Sequence, residues 1–371
     1  MSIRKVFLNL HLCAGLIAAA FLLLLGLSGS ILVFENEIDR ELNARLSRVP
    51  AERGNMSLTD LKADLEKAHP AYQVEGFSIS NRDELAWSAF LAASHPNDHG
   101  IVLAVNQHTG EVLGTDAEEN RLVAKVHQFH THLLAGAVGS EVLGWAAVLL
   151  LFLAISGLVL WWPRKILTVN RSSTGRKIVF DLHNALGLYS SIFLMVFALT
   201  GIGIHWEKLA STWANRLTNS PTLGPIPRPD SPPPGAVPMD PDRLVALAIQ
   251  SAPGASPTVV QLSDSPARPV RIIMKYPEDH TPAGRTNIYI DPYSGKVLAA
   301  QVSRTAPVGF KITKMWNREI HTGDILGWPT RLLACFFSLM LPLMSITGPL
   351  IWWSRRRKQS RAASVGHPTN L

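Results

Sequence analysis

The sequence predicts a membrane α-helical protein: a four-helix transmembrane bundle built from an internal duplication, carrying two small α+β domains outside the bilayer. Three observations lead there. The chain has 371 residues of which 47% are hydrophobic and only 17% charged, too apolar for an ordinary soluble protein. Its apolar residues gather into four long runs. The runs also repeat one another, with Phe7-Leu-Asn-Leu-His11-Leu-Cys-Ala-Gly15 matching Val179-Phe-Asp-Leu-His183-Asn-Ala-Leu-Gly187 at an offset of 172 residues without a gap.

The four runs, Leu12 to Phe34, Val142 to Trp162, Ala185 to Trp206 and Leu332 to Trp353, each reach the roughly 20 residues needed to cross a bilayer core of about 30 Å. The first follows Arg4 and Lys5 as a signal peptide would. Its apolar part is too long for a signal core, so it reads as a retained anchor. Cations flank the runs on one common side: Arg4-Lys5, then Arg164, Lys165, Arg171, Arg176 and Lys177, then Arg355-Arg356-Arg357-Lys358. The positive-inside bias assigns that side, and both termini, to the cytoplasm. The net charge of +7 is mostly this topology signal and does not point to nucleic acid.

The expected organisation follows the chain: 1–34 cytoplasmic N-terminus and first span, 35–124 first outer domain, 125–162 a histidine segment and second span, 163–180 cytoplasmic loop, 181–206 third span, 207–314 proline-rich linker and second outer domain, 315–353 a second histidine segment and fourth span, 354–371 basic tail. Each outer domain has a helical stretch, Leu58 to His69 and then Pro241 to Ser251, followed by alternating β-rich runs. They end alike: Val105-Asn-Gln-His-Thr-Gly110-Glu-Val-Leu113 parallels Ile290-Asp-Pro-Tyr-Ser-Gly295-Lys-Val-Leu298, two strands around a turn with glycine where positive φ is needed. The linker from Ser220 to Pro241 is dense in proline and extended.

The duplication singles out four histidines. His11 aligns with His183; at an offset of 191 residues His130 aligns with His321, Ser156-Gly157 with Thr347-Gly348, and Trp161-Trp162 with Trp352-Trp353. Alternating helix direction puts His11 and His183 at the cytoplasmic ends and His130 and His321 at the opposite ends, one pair per side. Paired imidazoles are the axial ligands of a six-coordinate haem suited to electron transfer. Cys13 and Cys335 belong to no Cys-x-x-Cys-His motif, which excludes covalent c-type attachment and leaves two b-type haems as the expected cofactors.

Glycines complete the candidate sites. His11 to Gly29 and His183 to Gly201 are each 18 residues apart, a whole number of turns, so each pair shares a helix face. Gly157 and Gly348 repeat as well, although their 27-residue spacing from His130 and His321 defines no common face. A glycine lets a flat macrocycle approach the backbone; small residues also simply tighten helix packing in lipid. His127 and His132 are alternates to His130, with repeat counterparts Arg318 and Gly323, and His205, aligned with Val33, is an interfacial histidine. His69, His95, His99, His108, His280 and His367 lie in soluble segments or the tail and read as solvated. Glu35 and Glu207 mark the outer ends of their helices, and the Trp pairs read as headgroup anchors.

The chain resembles the PepSY-associated transmembrane family in its paired turn-strand endings, its His130-Thr-His-Leu-Leu-Ala-Gly136 block and its Ser156-Gly-Leu-Val-Leu-Trp-Trp-Pro163 and Thr347-Gly-Pro-Leu-Ile-Trp-Trp353 exits. The resemblance implies a bacterial inner-membrane protein whose outer domains are periplasmic PepSY domains. Some members of that family are di-haem ferrisiderophore reductases. It therefore implies a ferric siderophore, or another oxidised periplasmic acceptor, as electron acceptor. With no flavin or nicotinamide motif in the short cytoplasmic parts, the donor is a membrane quinol or a separate cytoplasmic reductase. Two rival readings remain at this level: a non-redox PepSY protein that binds or regulates a periplasmic partner, and a transporter, which the nearly charge-free span interiors disfavour.

Overall fold

The computed structural model describes residues 2–365 except 53, 96–97, 116–120, 164, 171, 173, 233, 264 and 266, with side chains as far as Arg357. Arg164, Arg171, the Lys358 side chain and His367 therefore lie outside the described residues. In chain order the helices are α1 (Ile3–Leu32), α2 (Glu35–Leu42), α3 (Ala44–Ser47), α4 (Leu58–Ala68), α5 (Leu122–His132), α6 (Gly136–Trp161) and α7 (Gly175–His205). They continue with α8 (Glu207–Leu217), α9 (Pro241–Ser251), α10 (Val308–Phe310), α11 (Asn317–Thr322), α12 (Trp328–Ser338) and α13 (Met340–Val365). The strands are β1 (Tyr72–Ser78), β2 (Trp87–Ala93), β3 (Ile101–Val105), β4 (Val112–Thr115), β5 (Ser256–Gln261), β6 (Val270–Lys275), β7 (Thr286–Ile290) and β8 (Val297–Gln301). The chain divides into two units, one of residues 1–35, 125–212 and 316–371, the other of 36–124 and 213–315.

The first unit is a membrane bundle. Four stretches, Ile3–Leu32, Gly136–Trp161, Gly175–His205 and Trp328–Arg357, are long and apolar enough to cross a bilayer, and the chain is a multi-pass membrane protein. In α1, α6 and α7 the buried positions are mostly small, among them Ala18, Gly26, Ser28, Gly144, Ala154, Ser156, Ala198 and Thr200. Large apolar side chains such as Ile17, Phe21, Ile155 and Ile192 face outward, as expected where lipid solvates the surface and close backbone approach supplies the attraction. Neighbours run in a ring: α1 packs on α6 and α13, and α7 packs on α6 and α13. Ala18, Leu22, Leu150, Leu194, Ala198 and Leu341 meet in its centre.

The fourth span, Trp328–Arg357, covers the expected Leu332 to Trp353 and is interrupted at Leu339, between α12 and α13. Pro342 has no N–H for the Ser338 carbonyl and its ring crowds that position. The break docks on α1 instead. Ser338 Oγ donates to Gly26 O at 2.9 Å, and a Cβ on Gly26 would lie 2.5 Å from Pro342 Cδ, 2.7 Å from Leu341 Cβ and 2.8 Å from Ser338 O.

The second unit is an antiparallel sheet of eight strands in the order β4-β3-β2-β1-β5-β6-β7-β8. The strands of the two expected outer domains join in this one sheet. Each half contributes four strands and one helix of the shared core, α4 or α9, and the edges β1 and β5 pair, with Phe77 opposite Val260, and so remove two exposed strand edges. Gly76 permits the seam, since a Cβ there would stand 2.3 Å from Val260 O. Leu61 and Leu65 of α4 and Leu244 and Ala248 of α9 share one core with Phe77, Val105, Ile272 and Ile288. Gly110 and Gly295 hold the two matched turns at φ of 75° and 71°.

Gly26→Ala is expected to destabilise the bundle by about 1–3 kcal/mol, the usual cost of overpacking, because the atoms it meets are backbone or a fixed ring. A lowered thermal midpoint in detergent checks this; an unchanged midpoint contradicts the packing described.

Candidate functional site

Each Ser/Thr-Gly pair repeated within the spans meets one of the four duplicated histidines. His11 Nδ1 lies 2.8 Å from Ser156 Oγ, His130 Nδ1 lies 2.9 Å from Ser28 Oγ, His183 Nδ1 lies 2.7 Å from Thr347 Oγ1 and His321 Nδ1 lies 2.8 Å from Thr200 Oγ1. Matched residues thus make matched contacts: α1 with α6 and α5 with α1 in the first half, α7 with α13 and α11 with α7 in the second.

The hydroxyls determine which ring nitrogen carries the proton. A Ser or Thr inside a helix turns its hydroxyl back onto the carbonyl one turn earlier. Ser28 donates to Leu24 O at 2.9 Å, Ser156 to Phe152 O, Thr200 to Val196 O and Thr347 to Leu343 O each at 2.7 Å. A hydroxyl that gives its single proton to the helix can only accept from the imidazole. In that arrangement Nδ1 carries the imidazole proton and the Nε2 lone pair is left for a metal.

The glycine beside each hydroxyl brings the ring close to the helix backbone. A Cβ on Gly29 would stand 3.1 Å from His130 Cε1; on Gly157, 3.5 Å from His11 Cε1; on Gly201, 3.6 Å from His321 Cε1; on Gly348, 3.5 Å from His183 Cε1. His11 and His183 line one cavity of about 400 Å³, within the range of small-molecule and cofactor sites. It lies between α1 and α7, which occupy non-adjacent places in the ring of helices. Gly15, Gly157, Gly187 and Gly348 line it along with leucines, and Arg4, Lys5 and Arg355 are among its lining residues. A Cβ on Gly157 or Gly348 would meet only the histidine within 4 Å, so a larger side chain there would fill the slot.

At the other end, α5 and α11 carry His130 and His321. Burial pushes the His130 imidazole down to about 4, helped by the charges His321 and His127 would carry. Burial does the same to His321, also about 4, helped by the Arg318 guanidinium. Both rings are neutral at physiological pH, the form that can ligate. Among the described residues no three His, Cys, Asp or Glu side chains cluster as a metal site.

The three alternate histidines stand elsewhere. His127 is exposed with Nδ1 2.8 Å from Glu35 Oε1, and His132 is exposed with Nδ1 2.7 Å from Thr131 Oγ1. His205 packs on Gly144 and edge-on to Trp206, with Nε2 3.3 Å from Glu141 Oε2. None of the three meets a Ser/Thr-Gly pair. Ser28, Ser156, Thr200 and Thr347 were not among the expected site residues, although each precedes a repeated glycine and the hydroxyl is kept in both copies.

No curated protein matches the chain at a significant level. The family described as the PepSY-associated TM region matches residues 8–355, a stretch that takes in all four histidine-hydroxyl contacts, and the chain belongs to that family.

Proposed function

We propose that this protein is a di-haem b-type oxidoreductase of the bacterial inner membrane that passes electrons from the cytoplasmic side to an oxidised periplasmic acceptor. One observation carries the reading: four repeat-matched imidazoles each have Nδ1 tied to a hydroxyl and Nε2 free, and two of them share a glycine-lined apolar cavity. That donor set and that cavity fit a haem, which these imidazoles would hold. His11 with His183, and His130 with His321, are the ligand pairs. Two b-type haems held there would supply one-electron carriers near the two faces of the membrane.

The chain's own residues bind, orient and insulate. The hydroxyls of Ser28, Ser156, Thr200 and Thr347 hold each ring in one tautomer, and such partners of a ligating histidine raise its basicity and fix its plane. Leu22, Leu150, Leu194 and Leu341 close the middle of the bundle and exclude water between the two sites. The cation bias orients both termini and the Arg4, Lys5 and Arg355 end towards the cytoplasm, which makes the eight-stranded sheet unit periplasmic. Matched contacts in the two halves support an origin by internal duplication.

The donor is a membrane quinol or a separate cytoplasmic reductase, and the acceptor is a ferric siderophore. Reduction to the ferrous ion weakens its hold on hard oxygen ligands and releases the iron. An inside-negative potential favours outward electron movement by about 2.3 kcal/mol per 100 mV.

The test is an absorbance spectrum of the purified protein before and after dithionite, with a haem count. Two haems per chain are expected. His11→Ala or His183→Ala removes one, His130→Ala or His321→Ala removes the other, and His127→Ala or His132→Ala removes neither. A colourless wild-type preparation overturns the reading in favour of a non-redox membrane protein. Ser156→Ala combined with Thr347→Val is expected to weaken haem retention at the His11 end by roughly 10- to 100-fold, the usual cost of losing the partner of a metal-bound histidine, while the other haem is held as before. Competition with apomyoglobin measures both rates, and equal rates in variant and wild type contradict the role of the hydroxyls.

A further inference from the structure

In the repeat, Arg318 stands where the first half has His127, and the two differ in how they are satisfied. His127 has Glu35 at 2.8 Å. Arg318 Nη1 is buried and has no hydrogen-bond partner. Its ion-pair contact, Asp324 Oδ2, is 3.7 Å away, beyond hydrogen-bond reach. Asp324 is already engaged, for Oδ2 accepts from Thr322 Oγ1 at 2.8 Å and Oδ1 lies 3.6 Å from Arg331 Nε. Arg331 in turn spends Nε and Nη2 on Val33 O, at 3.1 and 2.6 Å.

A buried cationic N–H without an acceptor is among the costlier defects in a folded chain, and a guanidinium fork matches a carboxylate in shape and charge. Arg318 sits on α11 one turn before His321, whose Nε2 faces away from Thr200. We infer that Arg318 is the anchor for a carboxylate of a molecule bound beside His321. The haem source of that carboxylate rests on the reading of His321 as a cofactor ligand; the acceptor source does not. Two sources offer that group: a carboxylate substituent of the haem, or a carboxylate on the acceptor.

The test uses the full-length protein in detergent with Arg318→Gln and Arg318→Lys, and three probes: haem b, haem dimethyl ester and citrate. If the haem supplies the carboxylate, Arg318→Gln loses one haem to apomyoglobin about tenfold faster or more, Arg318→Lys falls between, and protein loaded with the ester loses it at one rate with or without the substitution. If the acceptor supplies it, haem loss is unchanged and citrate binding by calorimetry weakens about tenfold or more in Arg318→Gln. Equal haem and citrate behaviour in all three proteins overturns the inference, as does an equal acceleration for haem and its ester, which marks a purely structural arginine. A haem-free wild type would sink the di-haem reading alone, and the citrate titration would still decide Arg318.

Discussion

The arrangement depends on a hydroxyl that has only one proton to give. In each of four places a Ser or Thr inside an apolar helix lies 2.7 to 2.9 Å from a carbonyl of its own backbone, and a hydroxyl that bonds there can only accept from the imidazole opposite. The ring is thereby fixed in orientation and tautomer by a contact that costs the membrane segment no charge. A carboxylate in the same role would fix the ring as well, but it would bring an ion into the bilayer at several kcal/mol. A neutral hydroxyl that is already bonded to its helix is the cheap solution, and the chain uses it at all four positions.

The bundle supplies the room. With α6 and α13 as the shared neighbours, α1 and α7 stand across from each other, and the cavity holding His11 and His183 lies between them. Glycines beside the hydroxyls keep that space open. The break at Leu339, imposed by Pro342 and accommodated by Gly26, brings Ser338 against α1 close to Gly29 and His130, where a Cβ on Gly29 would lie 3.0 Å from Ser338 Oγ. Packing of the fourth span and placement of the His130 site are therefore coupled.

Much of this was legible in the sequence. Length and apolarity located the spans, and the gapless match of His11 with His183 separated four histidines from the other nine without reference to any contact. The partners were hidden for a geometric reason. His11 meets Ser156 and His183 meets Thr347 across helices 145 and 164 residues apart in sequence, a pairing that no single-helix periodicity encodes; the 27-residue interval from His130 to Gly157 carried no information because those two residues serve opposite ends. The joining of the outer halves was equally hidden. Two similar strand sets read as two domains until Gly76 is seen to let β1 reach β5. Pro342 was visible as a proline in an apolar run, but whether it would kink or break the helix was decided by what Gly26 left open beside it.

Electron paramagnetic resonance of the oxidised, purified protein probes most directly whether facing imidazoles ligate iron through Nε2. The account predicts two low-spin ferric signals of equal weight, each typical of bis-imidazole coordination, with no high-spin component. A high-spin signal accounting for half or more of the iron, or the absence of any ferric haem signal, would contradict it.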